Sequence, residues 1–168
     1  MFSVRKTELP GGALLSRYES RQNYTDCFRL VIEDEVALDE FIFAFYTTWL
    51  FRIERVLLRF AVSKPSTNDQ ARRLADGSIE FFAAWSVEDR RSDQLLMRDF
   101  HHRTRSWLMV ESLPIGHGVG TQLFFGSAVV DAGGSRFSLL LGFHKLYSRA
   151  LLSAARSRLT SLRRKQHG

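Results

Sequence analysis

Cysteine is nearly absent from this chain of 168 residues, which contains only Cys27. A single thiol excludes an internal disulfide framework and is typical of proteins in a reducing compartment. Cys27 lies between Asp26 and Phe28 in a strand-like stretch. We interpret it as a packing residue, because a reactive thiol needs an electropositive and partly exposed setting.

Long apolar segments are also missing. The longest uncharged apolar run, FIFAFYTTWLF (41–51), is shorter than the roughly 20 residues that a membrane-spanning helix needs. The N-terminal stretch MFSVRKTELPGG has no apolar core of the length that a signal peptide requires. These absences favour a soluble, cytoplasmic protein, and the chain length fits one domain with an ordinary core.

Acidic residues do not occur after Asp131, whereas basic residues are frequent there. Subtracting the eight late basic residues from the total of 24 leaves 16, against 18 acidic residues, so the remainder of the chain is slightly acidic. The late basic residues are Arg136, Lys145, Arg149, Arg156, Arg158, Arg163, Arg164 and Lys165. They either oppose the partial negative charge at a helix C-terminus or form a surface for an anionic partner such as a membrane.

The sequence contains no nucleophile elbow, P-loop, dinucleotide-binding glycine pattern or HExxH motif. The stretch LLMRDFHHRTRSWLMV (95–110) does place Asp99 beside His101 and His102. Successive side chains of a strand point to opposite faces, so the two histidines cannot hold one metal ion together. We therefore predict no catalytic residue, no metal site and no cofactor.

The apolar periodicity and the turn residues divide the chain into strands grouped apart from helices, which indicates an α+β fold. Residues 1–12 are expected to form a flexible leader, residues 13–160 a single domain and residues 161–168 a basic tail. The predicted order is a strand at 24–32, helical spacing over 38–62, a short helix with Asp69 as N-cap, strands at 78–87, 93–101, 104–112 and 120–130, and a long helix with Ser135 as a candidate N-cap.

This order resembles the helix-grip fold of the START and birch-pollen-allergen superfamily, over roughly residues 20–160. The segments that look like a bacterial branch of it are FYTTWLFRIERVLLRF (45–60), TRSWLMVES (104–112), LFFGSAVV (123–130) and GFHKLYSRALLSAA (142–155). The resemblance implies a curved antiparallel sheet around a long C-terminal helix and a cavity between sheet and helix. The pair Thr47-Thr48 could divide the helical stretch 38–62 into two helices after the first strand. Lipid carriers, hormone receptors and polyketide cyclases share that fold, so the fold alone does not select a function.

A hairpin turn centred on His102 and Arg103 would give one face an apolar end and a polar end. Asp99 would then lie opposite Ser106, and Met97 opposite Leu108. A register slip of one residue would instead place Asp99 with Trp107 and Met109. The sequence leaves both registers open.

The final helix and the aromatic residues complete the candidate lining. His144 lies at the centre of the apolar stripe of the helix, either as a buried imidazole with a structural hydrogen bond or as a ligand contact. Alternating aromatics should point inward, where they line a cavity or fill it. The candidate ligand-binding residues are Phe81, Trp85, Met97, Asp99, Ser106, Leu108, Phe125, His144, Tyr147 and Ser148.

Three functions fit these patterns. The first is a carrier or sensor of a small apolar or lipid-like molecule, held between sheet and helix. The second is an interaction module, either a homodimer through an apolar outer sheet face with Leu96, Phe100 and Trp107, or a peripheral protein whose basic tail meets an anionic surface. The third is an enzyme of cyclase or dehydratase type, in which His144 and Asp99 or Tyr147 move protons. Sequence-specific nucleic-acid binding is not expected, because the basic tail contains no aromatic residue for base stacking.

Overall fold

The computed structural model describes residues 3–48, 67–116, 118–130 and 137–166, and within the last range it describes side chains for 149–164. The predicted helical stretch beyond residue 48 and the candidate cap Ser135 lie outside the described residues. The described chain is an α+β structure with a seven-stranded antiparallel sheet and a long C-terminal helix.

The strands are β1 (Arg5–Lys6), β2 (Tyr24–Ile32), β3 (Phe81–Phe82), β4 (Trp85–Arg90), β5 (Gln94–Asp99), β6 (Thr104–Ile115) and β7 (Gly118–Val129). The α-helices in the described ranges are α1 (Leu38–Tyr46), α2 (Asn68–Ala75) and α3 (Phe137–Gln166), and a 3-10 helix spans Leu14–Tyr18. The sheet order is β1-β2-β7-β6-β5-β4-β3. Strands β3 to β7 therefore lie side by side in chain order. The last of them, β7, pairs with β2, which comes before α1 in the sequence.

The inner face of the sheet, defined here by Met97, Leu108 and Phe125, packs against all three α-helices. Phe28 and Leu30 of β2 belong to the same buried cluster as these residues. From α3, the cluster contains Leu151, Leu152, Ala155 and Leu159, and α1 adds Phe41, Ile42 and Phe45. The spacing of these side chains on α1 and α3 is the helical period of an amphipathic surface, so the main core forms between the sheet and the helices.

The outer face of the sheet, defined by Leu96, Trp107 and Phe124, is covered by the N-terminal part of the chain. Leu15 and Trp107 are both 0% exposed. A Cβ atom on Gly126 would lie 2.7 Å from Leu15 Cδ2, so glycine permits this close approach. Leu96 and Trp107, two of the three residues that suggested a homodimer, are thus covered within the chain itself, whereas Phe100 is 45% exposed.

Polar contacts attach this N-terminal segment to the sheet. The side-chain amide of Gln94 accepts hydrogen bonds from Leu14 N (2.8 Å) and from Trp107 Nε1 (2.9 Å), and it donates to the Gly12 carbonyl (3.2 Å). Further along the segment, the Tyr18 hydroxyl contacts Glu88 and Arg105. Gln94 thereby provides hydrogen-bond partners for the Leu14 amide and the Gly12 carbonyl, which lie outside the strands.

A β-bulge in β4 places two acidic side chains, Glu88 and Asp89, near the end of this N-terminal segment. The register between β4 and β5 shifts between Val87 and Asp89. Glu88 then binds Arg105 (2.7 Å), and Asp89 binds Arg17 (2.5 Å). The bulge lets two consecutive carboxylates meet cations on the same side of the sheet, which a regular strand does not allow.

Part of the stretch 1–12, which was expected to form a flexible leader, pairs with the sheet. Arg5 and Lys6 form β1, opposite Arg29 and Phe28 of β2, and Thr7 N donates to the Cys27 carbonyl. At the other end, α3 continues to Gln166, so much of the predicted tail is helical.

No helix of the described ranges is long and apolar enough to cross a membrane.

Two local predictions are wrong. The predicted strand 78–87 is a hairpin of β3 and β4, because Ala83 adopts a left-handed conformation and the chain reverses there. Phe82 rather than Phe81 therefore joins the inner cluster, and Phe81 is 72% exposed. The N-cap of α2 is Thr67, whose hydroxyl accepts from Gln70 N, and Asp69 lies in the first turn.

Candidate functional site

A row of buried polar side chains crosses the inner face of the sheet. Ser106 of β6 pairs with Ser127 of β7, and Ser127 pairs with Asp26 of β2. The three residues are 9%, 2% and 4% exposed. Directly opposite residues of antiparallel strands have their side chains on one face, so these three form one polar row beside apolar neighbours.

Asp26 organises one end of this row. Its Oδ1 accepts hydrogen bonds from Ser127 N (3.1 Å) and Ser127 Oγ (2.5 Å), and its Oδ2 accepts from the Tyr24 hydroxyl (3.2 Å). Burial, followed by the adjacent Asp26 carboxylate, raises the pKa of Tyr24 well above its usual range. Tyr24 therefore stays a neutral donor, and the carboxylate is satisfied without a cation among these contacts.

Ser106 occupies the other end of the row, and its hydroxyl differs from the Asp26 carboxylate in its hydrogen bonding. No hydrogen bond of the described residues involves the Ser106 hydroxyl. Across the sheet, Ser106 lies opposite Met97, and its neighbours in the inner cluster include Leu108 and Phe125. A hydroxyl on an apolar, mostly buried face is a donor and acceptor that can orient a ligand.

The final helix packs on the same face of the sheet, where Leu151 and Leu152 join the cluster that contains Phe28. The end of α3 lies beside β2's far end, since Arg163 contacts Glu40 and the Glu35 carbonyl. His144, Tyr147 and Ser148 belong to the first half of α3, and their side chains lie outside the described residues.

Four of the predicted site residues share the inner cluster or its border. Met97, Leu108 and Phe125 are buried, and Trp85 packs against the same cluster while half-buried. Ser106 joins them, whereas Phe81 does not. Sequence reasoning missed Tyr24, Asp26 and Ser127. Asp26 and Ser127 do carry a signal, since each is a polar residue at an inward position of an otherwise apolar strand.

Asp99 has a structural role in the turn of its hairpin. Its Oδ1 accepts from Arg103 N (2.8 Å) and Thr104 N (3.0 Å). His102 adopts a left-handed conformation in this turn, and the His101 ring lies 3.9 Å from the Phe100 ring centroid. The polar residues at the tip of LLMRDFHHRTRSWLMV thus build a turn, and Asp99 holds its backbone.

The register of this hairpin differs from both predicted registers. Met97 lies opposite Ser106, and Leu95 lies opposite Leu108. The shift relative to the turn centred on His102 and Arg103 is two residues, so each side chain keeps its predicted face. The expected pairing of Asp99 with Ser106 is wrong, because the longer turn over residues 100–103 moves Asp99 to the end of β5.

Cys27 lies on the outer face, in the cluster with Leu15, Trp107 and Phe124. Burial, followed by the nearby Asp26 charge, raises the pKa of the Cys27 thiol to about 12. The thiolate is the reactive form, so its scarcity at neutral pH and its burial both protect Cys27.

We expect Cys27 in the folded chain to react with a thiol reagent at least about a hundredfold more slowly than in the denatured chain. The measurement is the labelling rate at neutral pH with and without denaturant. Because Cys27 is the only cysteine, the signal comes from one site. Similar rates in the two states would show that residues 13–15 do not cover the outer face.

No protein-family model matches this chain. No curated protein matches its sequence either. The candidate site is therefore defined by its geometry: a polar row of Asp26, Ser127 and Ser106 on the inner face of the sheet, the face on which Leu151 and Leu152 of α3 pack.

Proposed function

We propose that this chain binds a small apolar molecule with one polar group, between the inner face of the sheet and α3. The observation that carries the proposal is the Ser106 hydroxyl, which has no hydrogen-bond partner among the described residues and lies on a face of Met97, Leu108 and Phe125. The arrangement of sheet and C-terminal helix supports a helix-grip fold. The single cysteine supports a cytoplasmic location, because disulfide-free proteins suit a reducing compartment.

The chemistry of the lining supports this ligand class. Burying apolar ligand surface contributes about 25 cal/mol per Å² removed from water. Ser106 would hydrogen-bond the polar group of the ligand and thereby fix its orientation. Asp26 already accepts three hydrogen bonds, so it would position Ser127 and Tyr24 rather than contact the ligand.

The same geometry supports binding over proton transfer. A cyclase or dehydratase that used His144 with Asp99 would need the Asp99 carboxylate to face the substrate. That carboxylate instead accepts hydrogen bonds from two backbone amides at its own turn, Arg103 N and Thr104 N. Among the described residues near Ser106 on the inner face, the one carboxylate is that of Asp26, which already accepts hydrogen bonds from Ser127 and Tyr24. The other described groups there are hydroxyls and apolar side chains, which can orient a molecule.

The first test is native mass spectrometry of gently purified protein, followed by extraction and identification of any bound molecule. We expect a co-purifying apolar molecule with one hydrogen-bonding group. The Ser106→Ala variant should bind it about three- to tenfold more weakly, the range of a single neutral hydrogen bond. Ser112→Ala is the matched control, because Ser112 lies in the same strand and is exposed.

Two results would contradict this function. One is a clean mass for the chain alone, together with no shift of the melting temperature across a panel of lipids and polyketides. The other is equal affinity of the Ser106→Ala and Ser112→Ala variants for the bound molecule, which would remove Ser106 from the site.

A further inference from the structure

The helix α3 carries arginines on two different sides. Arg163 faces α1 and the preceding loop, with Nη2 at 3.1 Å from Glu40 Oε2 and Nη1 at 3.8 Å from Asp34 Oδ1. Arg158 Nε lies 3.4 Å from Thr47 Oγ1. These two cations attach the helix to the rest of the molecule.

The opposite side of α3 faces away from the core. It is formed by residues that alternate along the helix with the buried positions Leu151, Leu152, Ala155 and Leu159. We name this surface the basic face; it comprises Arg149, Ser153, Arg156, Ser157, Thr160, Ser161 and Arg164. No ion pair of the described part of the chain involves Arg149 or Arg164, and both are exposed.

The composition of the basic face restricts its partner. It contains no acidic residue, so its field attracts anions along its whole length. It also contains no apolar or aromatic side chain, which disfavours both a partner helix that needs an apolar groove and a nucleic acid strand that needs stacking. Ser157 and Thr160 donate their hydroxyls to helix carbonyls, so the arginines are the main donors to a partner.

The shape of the basic face matches a flat array of anions. Arg149 and Arg164 lie on one straight helix and are separated by about 22 Å along its axis. Cations spread along a rod can meet the anionic headgroups of a lipid leaflet together, without a pocket for any single group. The remainder of the chain is slightly acidic, which favours one orientation, with the basic face toward the surface.

We propose that the basic face of α3 docks on a lipid surface that contains anionic headgroups. Docking would bring a carrier of apolar molecules to a source of its ligand, but it does not require that a ligand is bound. It is reversible and weakens with salt, because exposed charges are screened over about 8 Å at physiological ionic strength.

The test is sedimentation of the full chain with vesicles of phosphatidylcholine, with and without phosphatidylserine. We expect binding only to the vesicles with phosphatidylserine. The double variant Arg149→Gln/Arg164→Gln should bind these vesicles about 25-fold more weakly, at about fivefold for each cation removed near the surface. The control variant Arg5→Gln/Arg21→Gln removes the same charge from exposed positions elsewhere and should bind like the unchanged protein.

Several results would overturn docking on lipid. Equal binding to both vesicle types, or an equal loss in the two double variants, would show that the basic face does not determine the interaction. Binding to duplex DNA with a steep salt dependence, without binding to vesicles, would assign the surface to nucleic acid instead. The Ser106→Ala variant should dock normally, so failure of docking is distinguishable from failure of ligand binding.

Discussion

Replacing Trp107 with alanine is expected to lower the free energy of unfolding by about 3–5 kcal/mol, the range for removal of a buried aromatic side chain. Trp107 is fully buried between the sheet and the N-terminal segment, and its ring lies 6.2 Å from that of Phe124. Its indole N–H also donates to Gln94, which holds the segment at Leu14 and Gly12. The substitution therefore removes apolar packing and also weakens the attachment of the N-terminal segment that covers the outer face.

The measurement is denaturant unfolding followed by far-UV circular dichroism, which does not depend on tryptophan fluorescence. Phe81→Ala is the control: it also removes an aromatic ring, but from a side chain that is mostly exposed, so we expect a change within about 0.5 kcal/mol. A loss below about 1 kcal/mol for Trp107→Ala would contradict the packing of residues 13–15 on the outer face.

The second large effect is expected for Asp26→Ala, which should lower the free energy of unfolding by about 2–4 kcal/mol. The carboxylate accepts hydrogen bonds from the backbone and hydroxyl of Ser127 and from Tyr24. Removing it leaves the buried amide of Ser127 without this acceptor, and an unsatisfied buried donor costs more than a hydrogen bond contributes.

Two further variants show whether the effect comes from these contacts. Asp26→Asn retains one acceptor oxygen and should lose less stability than Asp26→Ala. Asp69→Ala removes an exposed carboxylate from the first turn of α2 and should cost at most about 1 kcal/mol. Equal losses in all three variants, by the same unfolding measurement, would show that the Asp26 contacts do not stabilise the inner face.

Local patterns predicted several elements well. The strand at 24–32 has the bounds of β2, and 104–112 and 120–130 fall largely within β6 and β7. Thr-, Val- and aromatic-rich runs between turn residues mark a strand wherever it packs, because the preference comes from the backbone and its nearest neighbours. The α+β grouping of strands and helices follows from the same signals.

Register and turn geometry were not accessible in this way. Phe81 and Phe82 are adjacent and equally apolar, and the left-handed Ala83 decides which of them faces the core. Asp99 was predicted to face Ser106, but its carboxylate holds the turn that shifts the pairing. An alanine or histidine in a left-handed turn has no strong sequence signal, unlike glycine.

Composition and periodicity are local properties, so they were enough to predict the α+β class, most of the long strands and the basic character of the last helix. Which surfaces are covered, and which polar groups meet, depends on tertiary contacts. Gln94 holds a segment 80 residues away in sequence, at Leu14, and Ser127 meets Asp26 across 101 residues. Such contacts form because distant strands pair in one register, and no window of neighbouring residues contains that information.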